Sequence, residues 1–521
     1  MNSLPPLIED RLDRVLTNPT SAPAWHRLVA AWLSVSDPNA RTEVVDRLVM
    51  GIPDDPIPDF LRATFLFSMT RDTRFLVKAA QAVKRIIPND PDRLGAFLVY
   101  AFAGLLAQSD SRESYLNLLR MAAFPDIAAR LSQQPMNDAA SVLTARPVET
   151  IRRVALIAPE LVNLNHAPTA LALQHARLLA EKGLVVQVFC AQDMRVADMQ
   201  FFLGGGEQSI LASPDHVSWS SILPNSVTVH VSNSQFSLKE RWKNILARID
   251  AFDPDLVFLV GFSSPLTNIL FKARPVLGLS INTLPPVASL DLWLCANERK
   301  AGTLDDTWSP WFAAAEAWHY PYRIMLKPAL NTVSREQIGL RPGTVAMISV
   351  GDRLDREIQP AWASRMLEFM ARHPMVEWVI VGGNGQIPPA LAAANMSNMH
   401  LIPHQQDVRS YCQSCDIFVN PPRMGGGFSV ANAMADGLPV LAYAGSDGGD
   451  KLGVMAVAND TDYFALLSEW VASAAARQLA GAALRQRFDR ILDLHQAGAP
   501  LIEACEQAVS RFNKRIRQAT S

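Results

Sequence analysis

Apolar residues recur at helical spacing over roughly the first 145 positions. In AWHRLVAAWL (24–33), Trp25, Leu28, Val29, Trp32 and Leu33 share one face. FLRATFLFSM, RFLVKAAQAVKRII, LGAFLVYAFAGLLA and SYLNLLRMAAF continue the pattern, and IPDDPIPD and IPNDPD interrupt it. The pattern predicts an all-helical domain over 1–145, shaped like a degenerate helical repeat with no clean internal period. Such a domain either packs on its neighbour as a bundle or presents an array to a peptide.

The period then changes. SQQPMNDAASVLTARPVET (132–150) is polar and reads as a linker. IRRVALIAPE (151–160) reads as a strand, HAPTALALQHARLLAEKGL as an amphipathic helix, and VVQVFCA as a second strand. Strand, helix, strand at this spacing is a βαβ unit and predicts a parallel sheet. DLVFLVGFSSPLTNILF (255–271) repeats the arrangement, and VLGLSINTLP adds a strand. A second series starts near 344: TVAMISVGDRL, a helix over 360–372, VEWVIVGGNG, MHLIPHQ, CDIFVNPP and LPVLAYAG. These strands are near-continuous apolar runs, as a sheet covered on both faces requires. The expected fold is α/β: two tandem Rossmann-like domains, 151–335 and 336–500, behind the all-α domain. A basic helix, 501–521, closes the chain.

A chain of 521 residues fits three domains. The net charge of -2 gives no electrostatic footprint of a nucleic-acid binder, so a ligand must be recognised locally. The five cysteines are scattered and odd in number, which argues for a reducing compartment. Cys412 and Cys415 form a lone CxxC; with no second pair at zinc spacing, burial on a helix face is the better reading. MNSLPPLIEDRLDRVL lacks a basic stretch followed by an apolar core, and LGAFLVYAFAGLLA (94–107) is too short to span a bilayer. A cytoplasmic protein is expected.

The chemistry concentrates in NPPRMGGGFSVANAMADGLPVLAYAG (420–445). A strand ends at Asn420-Pro421-Pro422. Gly425, Gly426 and Gly427 follow, and a short helix stops at Gly437. Open α/β sheets bind ligands outside the carboxyl ends of their strands. A helix N-terminus offers unpaired N–H groups and partial positive charge, and glycines let a phosphate approach the backbone. Arg423 adds a planar, permanently charged fork. The expected ligand is a phosphate or diphosphate; a plain tight turn is the other reading.

CDIFVNPPRMGGGFSVANAMADGLPVL resembles the donor-binding segment of the group-one, retaining GT-B glycosyltransferases. The closest local match is Ala433-Met434-Ala435-Asp436-Gly437-Leu438-Pro439-Val440. The likeness covers about residues 150–500 and leaves out the helical N-terminus. It implies a nucleotide-sugar donor, with a UDP-sugar expected, retention of anomeric configuration, no cofactor and no metal. Asp447 and Asp450 leave a small question over the last of these. Many members carry two glutamates with seven residues between them, the second directly before Ala-Met-Ala. Here Met424 and Asn432 stand in their places. Asn432 can hydrogen-bond a ribose hydroxyl, whereas Met424 can do neither acid–base nor charge work. Backbone N–H groups of Gly425–Gly427 and the Ser429 hydroxyl then do the holding, or catalysis has been lost and the fold binds a partner.

VGDRLDREI (350–358) follows a strand at the same cleft edge, where the family places basic residues for the diphosphate. Arg353 is the better candidate, Arg356 the second, and Glu357 orients them or reaches a ribose. A solvated charge run is the alternative. His404, after another strand, lies where the family loop covers the nucleobase. Gly445–Asp450 forms a loop whose Asp447 and Asp450 suit sugar hydroxyls. In the first domain His166, at the first strand–helix turn, is the candidate catalytic group, and Ser264 in Gly261–Pro265 lines the acceptor side. Helical arrays joined to GT-B cores are similar to the layout of bacterial protein glycosyltransferases that modify adhesins or flagellins, which implies a polypeptide acceptor. A lipid-linked glycan is the rival, with Arg511, Lys514, Arg515 and Arg517 near a membrane surface. A non-catalytic GT-B subunit partnering an active glycosyltransferase is the third reading.

Overall fold

In the computed structural model, residues 4–520 are described apart from 53, 87–90, 107, 139–142, 165, 196–213, 281–284, 297–315, 327–328, 330, 384, 386–387 and 393–396. Eight α-helices precede the first strand, from Pro6–Thr17 to Phe124–Asp138. Several open on prolines that the sequence shows as breaks: Pro38, Pro56 and Pro91 each sit at a helix start, where a missing N–H costs nothing. Trp25, Trp32 and Phe65 meet in the core of this domain, Trp25 and Phe65 with ring centroids 5.4 Å apart.

The first sheet contains β1 (Arg153–Ile157), β2 (Val185–Cys190), β3 (Thr228–Val231), β4 (Leu256–Val260), β5 (Val276–Leu279), β6 (Leu292–Cys295) and β7 (Glu316–His319). All pairs are parallel, in the order β3-β2-β1-β4-β5-β6-β7. The second contains β8 (Val345–Val350), β9 (Val376–Val381), β10 (Met399–Ile402), β11 (Ile417–Val419) and β12 (Val440–Leu441), also parallel, in the order β10-β9-β8-β11-β12. Connections leave β1 and β8 in opposite directions from β4 and β11. Each sheet therefore has a topological switch point, β1/β4 and β8/β11, with its loops at the carboxyl edge. The two Rossmann-like sheets behind a helical domain make this an α/β fold of the GT-B kind.

The helix Gly498–Thr520 returns to the first sheet. Leu501, Ala504, Cys505, Ala508 and Phe512 join the apolar cluster of β4–β6. Arg515 Nε donates to Asp291 at 2.9 Å, and Arg511 pairs with Glu316. Two of the four basic residues expected to meet a membrane surface are thus engaged with the first sheet. Among the described residues no helix is long and apolar enough to cross a membrane. Cys412 and Cys415 are both buried free thiols, the second just past the helix Val408–Cys412.

The helical domain touches both sheets' loops. Phe102 and Phe124 pack on Phe262, after β4, with centroids 4.8 and 5.5 Å away. Met424, in the glycine segment, belongs to the same apolar cluster as the helical core, and its N–H donates to Ser109 O at 3.1 Å.

Candidate active site

The switch point of the second sheet is built around Arg423. Its Nε donates to Asn420 Oδ1, its Nη1 to Glu357 Oε2 and its Nη2 to Val350 O, each at 2.8 Å. It is 2% exposed, so the planar fork ties the ends of β8 and β11 together and is not turned to solvent. Gly351 makes this possible: a Cβ there would lie 2.3 Å from Arg423 Nη1. The other oxygen of Glu357 accepts from Arg353 Nε at 3.0 Å. Burial pushes the Glu357 carboxyl up, but the guanidiniums of Arg423 and Arg353 outweigh it and hold it below the usual glutamate range. Arg353 is the more exposed arginine, its side chain 33% accessible, and its Nη2 lies 3.2 Å from where a Cβ on Gly425 would stand. The side chain of Arg356 lies outside the described residues.

Gly426 caps the glycine-led helix Gly427–Ala435 with φ 92°, a left-handed conformation that favours glycine. The N-terminus of that helix is not empty. Gly427 N donates to Asp447 Oδ2 at 3.2 Å, and Lys451 Nζ donates to Asp447 Oδ1 at 2.9 Å. A carboxylate thus sits at one of the positions where a phosphate was expected, and Asp447 begins the short helix Asp447–Leu452 where a loop was expected. Asp450 pairs with Arg112 of the helical domain, whose N–H donates to Gly445 O at 3.0 Å. Asn432 Nδ2 bonds Phe428 O one turn back, at 3.0 Å, and Ser429 is half-buried on the first turn. Phe428 packs against the apolar clusters of both sheets, so it bridges the interdomain cleft. His404 is exposed, and its Nδ1 lies 2.7 Å from Asp352 Oδ1, joining the β10 and β8 loops.

Across the cleft, the carboxyl edge of the first sheet carries His166 as N-cap residue of the helix Ala167–Glu181. Its Nδ1 meets Thr169 Oγ1 at 3.0 Å, and burial lowers its pKa to about 4. Its Nε2 lies 4.0 Å from Glu160 Oε1, and burial raises that carboxyl to about 7. Ser264 is fully buried and donates to Asp193 Oδ2 at 3.0 Å. Burial raises Asp193 to about 6, against hydrogen bonds from Trp242 and Ser264.

The structure therefore gathers Arg353, Glu357, Asn420, Arg423, Gly425, Gly426, Gly427 and Asp447 at one switch point, and His166 and Ser264 at the other. Sequence reasoning missed Glu160, Asp193 and Lys451. The first two had a signal: a carboxylate three residues beyond the carboxyl end of a parallel strand. A groove of about 1100 Å³ lies at the opposite, amino edge of the first sheet, between Val148–Ile151 and the C-terminal helix, away from all these groups.

Residues 350–468 match the family model described as Glycosyl transferases group 1. That span holds the whole second switch point, so the chain carries a glycosyltransferase domain. Among solved structures, a mutant O-GlcNAc transferase from Thermobaculum terrenum is similar over 98% of this chain and 94% of its own, with TM-score 0.57 and 13% identity. A glycosyltransferase from Rickettsia africae is similar over 69% of this chain and 99% of its own, with TM-score 0.48 and 10% identity. The first of these likenesses takes in the helical domain and supports the GT-B fold. No curated protein matches the sequence.

Proposed function

We propose that this glycosyltransferase moves a sugar from a nucleotide-diphosphate donor, a UDP-sugar, to a polypeptide. The observation that carries the donor half is Arg353 standing against Gly425 at the β8/β11 switch point, inside the group 1 domain. Sugar transfer puts growing negative charge on the leaving phosphate. Fixed N–H groups and a guanidinium stabilise that charge without reorganising. Arg353 and the backbone of Gly425 and Gly426 serve this role. Glu357 and Arg423 hold Arg353 in place, Ser429 and Asn432 line the first turns for the ribose or phosphate, and His404 borders the base. His166 faces the transferred sugar from the first sheet, with Ser264 behind it on the acceptor side.

The polypeptide half rests on the helical domain. Its contact with Met424 and Asp450 brings it to the donor loops, so an acceptor held along the helices is delivered to the cleft. The likeness to a protein described as an O-GlcNAc transferase, helical region included, supports the same reading.

Calorimetric titration with UDP-, GDP-, dTDP- and CMP-sugars, wild type against Arg353→Ala, tests it. Saturable binding of a UDP-sugar is expected, weakened about tenfold or more by the substitution, the equivalent of about 1.4 kcal/mol. Folded protein that binds none of them would sink the donor reading and favour the partner-subunit reading.

A further inference from the structure

We propose that Glu160 takes the proton of the acceptor hydroxyl, and that His166 is its positioning neighbour; this rests on the glycosyltransferase reading above. The place is right for it. Glu160 follows β1 at the first sheet's switch point, between Ala158 and Leu161, which belong to the apolar cluster that Phe428 of the glycine-led helix packs against.

The carboxyl is also uncommitted. Its side chain is 9% exposed, no hydrogen bond reaches it among the described residues, and His166 Nε2 stands 4.0 Å away, beyond hydrogen-bonding distance. Structural carboxylates in this protein look different. Asp255 accepts from Arg146 and from the N–H groups of Arg152 and Arg153, at 2.8–2.9 Å. Asp291 accepts from Arg515 and from Val276 N–H. A buried carboxyl without such a set is costly to keep, and a site that needs it is the physical reason to keep it.

His166 cannot easily take the proton itself. Burial lowers its pKa to about 4, and the buried Thr169 hydroxyl, which accepts from Val162 N–H at 2.9 Å, meets its Nδ1 at 3.0 Å. His166 Nε2 stands 4.0 Å from Glu160 Oε1, so the ring borders the carboxyl and limits where it can turn.

Gln192 supplies an independent sign of a ligand. It lies two residues past the neighbouring strand β2, is fully buried with φ 59°, and neither atom of its amide has a partner among the described residues. Met194 N–H donates to Pro159 O at 3.3 Å and keeps the two strand ends together. Strain and an unpaired amide beside an unpaired carboxyl fit a pocket for a hydroxyl-bearing group. The neighbouring strand end adds the buried thiol of Cys190, which feels Glu160, Asp193 just past β2, and Arg241 from the helix Leu238–Phe252, whose guanidinium is turned to the carbonyls of Ala191, Gln192 and Arg195.

The step balances without another reactant. The acceptor O–H breaks and its proton passes to Glu160. The oxygen's electron pair forms the bond to the anomeric carbon. The bond from that carbon to phosphate breaks, and its pair leaves with the nucleoside diphosphate. Burial keeps the carboxyl protonated below about pH 7, so the rate falls on the acid side of that value.

The test uses full-length protein, the UDP-sugar that binds best by calorimetry, and two acceptors: a mixed Ser/Thr peptide library and water. UDP release is followed from pH 5 to 9. Glu160→Gln is expected to bind donor within about twofold of wild type, to lose about a hundredfold or more in kcat, and to lose the acid limb. His166→Gln is expected to fall less and to shift that limb without abolishing it. Glu160→Gln with wild-type rate and an intact acid limb overturns the proposal. So does a wild type that binds donor yet turns over neither peptide nor water. A wild type that binds no nucleotide-sugar fails the glycosyltransferase reading itself, which is a different result.

Discussion

Arg112 of the helical domain and Asp450, in the short helix after β12, form a largely buried ion pair, their side chains 12% and 9% exposed. The Arg112 N–H bonds Gly445 O beside it, and Met424 N–H bonds Ser109 O three residues before. The turn that leads into the helical domain's seventh helix, Arg112–Met121, is thus close to the loops of the second sheet's switch point. The Arg353 charge is felt as far as the buried Tyr115 hydroxyl, where it opposes the upward push of burial. The helical domain is a wall of the site, not a separate module on a tether.

Removing one partner of this pair takes away a charge-assisted hydrogen bond, which costs about 1.5–3 kcal/mol. Arg112→Ala and Asp450→Ala should each lower the denaturation midpoint. The double variant should lose less than the two single losses added together, because the shared bond is then lost once. A double-mutant cycle by chemical denaturation measures this, and strict additivity would show that the pair does not couple the domains.

Met424 stands where many group-one enzymes carry a glutamate, yet it is 1% exposed in the cluster formed by the helical core. Restoring the acid by Met424→Glu would bury a carboxylate among apolar side chains. The expected result is a loss of stability of about 3 kcal/mol or more and no gain in sugar transfer. Thermal melting with a UDP-release assay checks both, and a stable, faster variant would mean that the helical domain leaves Met424 free to turn toward the cleft.

The fold was legible because its elements obey local rules. β1, β4, β8 and β9 are apolar runs bounded by turn residues, and the helical domain keeps its period through every proline break. β3 and β7 are sheet edges whose short sequences, TVHV and EAWH, lack an apolar run, so nothing local marks them. The glycine loop was legible as a helix start. The partner of that start was not: Asp447 reaches Gly427 from 20 residues downstream, a contact that only the packing of β12 beside β11 creates. Arg423 illustrates the same limit. Its charge and its place beside the glycines suggested a phosphate ligand, but its three bonds are to Asn420, Glu357 and Val350, the last two from another βα turn.

Glu160, at the switch point of the first sheet, and Glu357, at that of the second, have opposite electrostatics, and stability should report both. The folded pKa of Glu160 is raised by burial to about 7, above the unfolded value of about 4.3. A raised folded pKa contributes stability that is present below the unfolded value and lost as pH rises through the folded one. Above pH 7 the buried carboxylate therefore costs of order 3 kcal/mol, and Glu160→Gln should be more stable than wild type by about that amount at pH 8.5, converging with it near pH 4. Glu357 runs the other way. Burial raises it, but Arg423 and Arg353 hold its folded pKa below the ordinary value. Its contribution is present above the unfolded value and lost as pH falls through the folded one, so Glu357→Gln should be destabilised at neutral pH, with the difference from wild type shrinking in acid. Denaturant midpoints of the three proteins between pH 4 and 9 decide the matter. A Glu160→Gln protein that is less stable than wild type at pH 8.5 would mean that the carboxylate has partners after all, and would remove the reason for treating it as a group held ready for substrate.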